Sequence, residues 1–141
     1  MSNEAAIVRV FVYGTLKPGE ANYQIYCQGK TIAETPAYIR GKLYHLSLGY
    51  PAISQGNEKI AGYLLKFDDY QILQQLDRLE DYQENRSLEE NEYYRQLVEV
   101  YDKSDRYLGE AWCYFMTPEK IAFHNGILVT VNNWQGNKQL K

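Results

Sequence analysis

Five β-prone runs, residues 7–12, 41–48, 60–67, 94–101 and 107–116, share this chain with only one strongly amphipathic helix. That imbalance decides most of what it can fold into. A doubly wound parallel sheet needs a helix at nearly every crossover, whereas short connections such as Leu48 to Ile60 and Tyr101 to Tyr107 suit hairpins. The pattern therefore predicts an α+β fold: a compact, mixed, mostly antiparallel, barrel-like sheet with one strong and one short helix. The strong helix is expected over 69–81, with Asp68 as N-cap, Gln71 completing a capping-box-like pair, and Ile72, Leu73, Leu76 and Leu79 forming an apolar face. The short one is expected to start at Thr117 as N-cap with Pro118 at its first position and to stop at Asn125-Gly126, before a last strand over 127–131. At 141 residues without repeats or low-complexity stretches, residues 1–141 read as a single domain.

Charge narrows the partners. Residues 80–92 carry Glu80, Asp81, Glu84, Glu89, Glu90 and Glu92 against Arg86 alone, so this short segment is strongly acidic in a chain whose formal net charge is −3. No Lys/Arg stripe is left for phosphates, which speaks against nucleic acid and against an anionic membrane surface. Cys27 and Cys113 form no CxxC pair, and His45 and His124 have no ligand-like spacing, so no metal site is signalled. No signal peptide or membrane span is evident, which makes a cytoplasmic protein with reduced thiols the expectation. Oligomeric state is not legible.

Two places could carry chemistry. Projected at 100° per residue from Ile72, Glu80 falls at about 80°, inside the apolar stripe, while Asp77, Asp81 and Arg78 swing progressively toward solvent. A carboxylate facing the core is costly unless paired or lining a cavity, and desolvation raises its pKa toward the range a general base uses. The bland alternative is that Glu80 frays into water or pairs with a structural cation such as Arg95. The second place is Tyr13-Gly14-Thr15-Leu16, where a strand turning at Gly can aim successive backbone N–H groups at one point. Its alternative is an ordinary strand-ending turn. Arg95 could hold a carboxylate or simply neutralise the acidic run, which itself reads as a solvated loop; Tyr50-Pro51 could shape a pocket rim or only a turn.

These segments together resemble the γ-glutamylcyclotransferase-like (AIG2-like) family. The matching pieces run in order: the strand and loop over 10–19, Gly49-Tyr50-Pro51-Ala52-Ile53, Gly62-Tyr63-Leu64 leading to Leu76-Asp77-Arg78-Leu79-Glu80, Tyr93-Tyr94-Arg95, and Ala111-Trp112 to Tyr114. The resemblance implies a substrate loop at Tyr13, Gly14, Thr15 and Leu16 and a catalytic Glu80. It also implies cyclisation of a γ-glutamyl amide to 5-oxoproline with release of the amine, without a cofactor. The partner would be a small γ-glutamyl molecule. Family members commonly have Gly after the catalytic Glu, where this chain has Asp81, whose second negative charge would raise the proton affinity of Glu80 if both are poorly solvated, and the stretch 83–92 is long and acidic for the loop before Tyr93 and could rim the pocket. Two other functions stay open on the residues: a non-catalytic binder of small carboxylates, which Asp81 motivates, and a hydrolase using Glu80 to activate water.

Overall fold

The computed structural model describes residues 7–129. Its first strand, β1 (Val8–Val12), shows in one line why the sheet is central: Val8, Val10 and Val12 enter one buried cluster and Phe11 enters another. Successive side chains of a strand point to opposite faces, so a strand with buried apolar residues on both faces must be covered on both. Tyr114 and Met116 in or just after β5 (Tyr107–Phe115) join the first cluster, while Ala111, Cys113 and Phe115 join the second. β1 and β5 are the parallel pair of the sheet, through Val10 and Trp112.

The remaining strands are antiparallel to their neighbours. β2 (Thr31–His45) and β3 (Pro51–Phe67) form one long hairpin, from Thr31 opposite Phe67 to His45 opposite Pro51, with a register shift between Gly41 and Lys42. β4 (Tyr94–Tyr101) pairs with β5, and β6 (Ile127–Leu128) with the end of β2. The order is β3-β1-β5-β4-β2-β6, and β3 also bonds to β2. Among the described residues the result is a curled, mixed six-stranded sheet with three helices.

The expected runs at 41–48 and 60–67 prove to be parts of this hairpin, whose strands are about twice as long as the runs that announce them. Residues 31–37 alternate half-buried with exposed or buried positions, and Gln55 to Lys59 are largely exposed, so neither stretch displays an apolar face. Tyr50-Pro51 is the end of the tight connection: Leu46 N–H donates to Tyr50 O, and Gly49 adopts φ +98°, which favours glycine. Residues 130 and 131 of the expected last strand lie outside the described residues.

Helix α1 (Ala21–Tyr26) has no buried residue and no periodic apolar pattern to betray it. Helix α2 (Gln71–Leu79) buries Ile72, Leu73 and Leu76 in the first cluster, as its periodicity requires. Its boundaries are tighter than expected. Asp68 is not the cap; Asp69 Oδ1 accepts from Gln71 N at 2.9 Å, and Glu80 is the C-terminal cap rather than a residue of the last turn. Helix α3 (Pro118–Phe123) begins as expected, with Thr117 Oγ1 accepting from Lys120 N and Pro118 at the first position.

α2 and α3 end alike. Asp81 N–H donates to Arg78 O and Tyr82 N–H to Asp77 O, while Asn125 N–H donates to Ala122 O and Gly126 N–H to Ile121 O. This is the Schellman closure, which puts the residue after the cap in the left-handed region: Asp81 at φ 55° and Asn125 at φ 57°. Asp and Asn tolerate that region better than most side chains.

Candidate active site

The end of β1, the β2–β3 connection, the cap of α2 and the entry to β4 meet around a cavity of about 180 Å³. Tyr13, Gly14, Thr15 and Leu16 line it, and so does Glu80. The two places singled out in the sequence, more than sixty residues apart, thus share one pocket. Tyr50 and Pro51 line it as well.

The loop is a real turn with a specific packing requirement. Lys17 N–H donates to Gly14 O at 3.0 Å, closing the reversal. Gly14 is not in the left-handed region; a Cβ there would stand 2.5 Å from Pro51 Cγ, so glycine is required by the proline ring rather than by φ. The amides of Gly14, Thr15 and Leu16 have no backbone acceptor among the described residues. Asn22, carried by α1, anchors the turn: its N–H donates to Thr15 O at 2.8 Å and its Nδ2 to Thr15 Oγ1 at 2.9 Å. That leaves the Thr15 hydroxyl hydrogen available to another acceptor. The phenol of Tyr13 is buried and donates to Tyr114 O at 2.8 Å, which leaves main chain as what Tyr13 offers a ligand.

Glu80 owes its place to the Schellman end of α2. Its N–H donates to Leu76 O, and its carbonyl accepts from Tyr93 N, while Asp81 O accepts from Glu92 N. These two backbone bonds fasten the start of β4 beside the helix cap and bring Glu92 and Tyr93 into the pocket wall. Tyr93 is itself locked by its hydroxyl, which donates to Pro51 O at 2.7 Å. Burial first, then the negative charges of Glu92 and Asp77, push the Glu80 carboxyl up to about 8. Burial also raises Tyr13 and Tyr93 well above the usual phenol range, so both stay protonated donors to carbonyls.

Three expectations need correction. Arg95 does not pair with Glu80: its Nε and Nη2 grip Asp77 Oδ1 and Oδ2 at 2.8 and 3.2 Å, and its guanidinium lies over Trp112 and Tyr82. Asp77 consequently faces inward, not to solvent, and also accepts from Tyr114 Oη at 2.6 Å. Asp81, finally, directs its carboxylate to Arg86 at 3.1 Å, with 64% of its side chain exposed; the charges that act on Glu80 are Glu92 and Asp77.

The acidic run is a compact loop folded around buried Asn91. Asn91 Oδ1 accepts from Gln83 N and Arg86 Nε, and its Nδ2 donates to Gln83 O and Ser87 O. Glu84, Glu89 and Glu90 are exposed, as a solvated loop implies, but Glu92 is not part of that solvated set. Of the stretch 83–92 that could rim the pocket, Glu92 does line it, but sequence reasoning did not single it out from a run of like charges; Asn22, on a helix without a pattern, was missed.

Among the described residues no group of His, Cys, Asp and Glu could hold a metal ion, and no helix is long and apolar enough to cross a membrane.

A carboxyl raised by burial and a glycine-containing turn thus line one small pocket. The chain belongs to the family described as "Gamma-glutamyl cyclotransferase, AIG2-like", whose family model matches residues 10–136. It is similar to the γ-L-glutamyl-butirosin B γ-glutamyl cyclotransferase of Niallia circulans, 36% identical over 73 residues, a match spanning 52% of this chain and 46% of that relative. The matched stretch is therefore about half of that relative's length. A Vibrio cholerae protein, provisionally named a γ-glutamylcyclotransferase, is 31% identical over 105 residues, 74% of this chain and 78% of its own. Among solved structures, an AIG2-like protein from Mus musculus superposes with a TM-score of 0.65 at 20% identity, covering 92% of this chain and 88% of that one. YkqA from Bacillus subtilis gives 0.64 at 23%, covering 95% of this chain and 42% of its own. These likenesses establish the fold.

Proposed function

We propose that the protein cyclises γ-glutamyl amides to 5-oxoproline and releases the free amine. The reaction is an intramolecular aminolysis. Glu80 takes a proton from the substrate α-ammonium, the freed nitrogen attacks the δ-carbonyl, and main-chain N–H groups of the Tyr13–Leu16 turn hold the oxyanion. Glu80 then hands its proton to the departing nitrogen as the old C–N bond breaks, and the second ammonium proton, left on the ring nitrogen, follows by the same carboxylate, so the lactam is neutral and the amine leaves protonated. The new lactam C–N bond replaces the old amide bond, so neither water nor a cofactor is consumed.

One observation carries this reading. Glu80 is a partly buried carboxyl without an ion-pair partner among the described residues, raised to about 8 and set in the same pocket as the turn. A group near that value can accept a proton from an ammonium and give it back without a large driving force against either step. Because the nucleophile and the carbonyl belong to one molecule, the pocket need only hold a near-attack geometry and shuttle the proton. The non-catalytic alternative was motivated by Asp81, whose carboxylate is turned to Arg86, and nothing in the pocket favours it.

The test is product identity. The protein is incubated with γ-glutamyl alkylamines, γ-glutamyl-lysine, γ-glutamyl dipeptides, glutathione and γ-L-glutamyl-butirosin B, the last chosen from the name of the Niallia circulans relative. Release of 5-oxoproline supports cyclisation; free glutamate would instead mean hydrolysis.

A further inference from the structure

The reading above uses Glu80 and the turn and leaves one charged group of the pocket without a task. Only two charged side chains line it among the described residues, Glu80 and Glu92, and no Lys or Arg stands with them. Arg95, the cation that could have balanced them, is bound at both ends of its fork by Asp77. The pocket wall therefore carries one carboxyl more than a single proton shuttle requires.

Glu92 is also held in place. Its N–H donates to Asp81 O, and the next residue, Tyr93, is fixed at both its amide and its hydroxyl, so the backbone under Glu92 cannot drift. One carboxylate oxygen lies 3.0 Å from His124 Nε2, which makes no hydrogen bond in the structure and pairs with Glu92 by charge only when the imidazole is protonated. The side chain keeps 24% of its surface exposed while lining the cavity, so it faces both pocket and solvent. A γ-glutamyl group bound against Glu80 and the turn must send its amine half out toward solvent. A fixed carboxylate on such a border discriminates by charge.

We propose that Glu92 is a specificity-determining residue that pairs with a positive charge on the amine half of the substrate. This inference rests on the γ-glutamyl amide reading and names the substrate class within it. γ-Glutamyl amides of diamines are favoured, those of uncharged amines are intermediate, and those whose amine half carries a carboxylate are rejected.

Three size-matched probes test it: the mono-γ-glutamyl amides of 1,5-diaminopentane, of pentylamine and of 5-aminopentanoate. In the unmodified protein kcat/KM for 5-oxoproline release is expected to fall in that order, by roughly fivefold per step, the value of one half-exposed ion pair. The steps should shrink as salt is raised. Glu92→Gln is expected to level the three rates, and Glu92→Lys to reverse their order. Equal rates in the unmodified protein, or an unchanged order in Glu92→Lys, overturn the proposal. Calorimetric binding of the same probes to Glu80→Gln, where no reaction consumes them, separates this inference from the reaction. The same order in binding without 5-oxoproline from the unmodified protein keeps the charge preference and removes the cyclisation. Binding independent of charge removes the preference whatever the turnover.

Discussion

Asp77 and Glu80 sit one helical turn apart at the end of α2, and their surroundings have made different groups of two similar side chains. Asp77 has a full set of partners: both oxygens on Arg95, and the Tyr114 hydroxyl on one of them. Arg95 in turn lies over the rings of Trp112 and Tyr82. Glu80 has none of this; its main chain is bonded and its carboxyl looks into a cavity. Asp77 is thus a fixed charge that ties α2 to β4 and β5. Glu80 is a titrating group whose value is set partly by that fixed charge. A paired carboxylate stabilises a fold; an unpaired one in a pocket costs stability and becomes useful for that reason.

The largest expected effect comes from removing the titrating member. Glu80→Gln keeps the shape and is expected to lower kcat by about 10²–10⁴, the usual worth of a positioned general base. Stability should move the other way. A carboxyl raised in the folded state binds more protons folded than unfolded between the ordinary value and about 8, so stability falls as pH rises through that window. Thermal melts at pH 8.5 are expected to show Glu80→Gln at or above the unmodified protein, with the gap closing by pH 4.5. A variant that melts lower at pH 8.5 would show Glu80 to be a structural carboxylate like Asp77. In the unmodified protein, kcat/KM is expected to rise with pH toward a shoulder near 8, where Glu80 becomes the ionised base.

Breaking the fixed member costs the fold instead. Asp77→Ala leaves the Arg95 guanidinium half-buried without its carboxylate and is expected to destabilise by about 3 kcal/mol, read from urea midpoints. Asp77→Asn is the gentler probe: it removes a negative charge near Glu80, so the rising limb of the pH profile should shift to lower pH. A limb that stays put would mean that the two carboxylates do not communicate. Somewhat smaller is Gly14→Val. A Cβ at 2.5 Å from Pro51 Cγ forces the turn and the hairpin end apart, for an expected loss of about 2 kcal/mol and a drop in kcat/KM beyond what the remaining folded fraction explains.

The contrast between the two carboxylates was only half legible in the sequence. A helical wheel is a statement about periodicity, and it located Glu80 on the apolar side because α2 is regular up to its cap. It failed for Asp77, because the wheel cannot know that Arg95 and Tyr114 arrive from β4 and β5 to make an inward carboxylate affordable. Locally coded features were readable: β4 at Tyr94–Tyr101, the Thr117-Pro118 start of α3, and the turn after β1. Long-range pairing was not. The first half of β2 is a strand because β3 lies alongside it, and its half-exposed pattern carries no apolar signature of its own. The stretch 83–92 could be read as a pocket rim, but Glu92 was not singled out within it for the same reason, since only the backbone bonds from Glu92 and Tyr93 to the cap of α2 lift it out of an acidic loop.

Asp81 gives the finest test of the division between fixed and titrating charge. It follows Glu80 directly and carries the same sign, so proximity in sequence suggests that it should govern the pocket. Its left-handed backbone turns the side chain outward to Arg86, and it is absent from the charges that act on Glu80. Asp81→Gly relieves the left-handed conformation, worth about 1 kcal/mol, but adds flexibility to the unfolded chain and deletes a mostly exposed ion pair worth a few tenths. These terms nearly cancel, so the melting temperature should change by no more than a few degrees, and the pH limb of kcat/KM should stay where it is. If the limb instead moves down when Asp81 is removed, the charge after the cap reaches the pocket through solvent, and the separation between the two kinds of carboxylate is less complete than their partners imply.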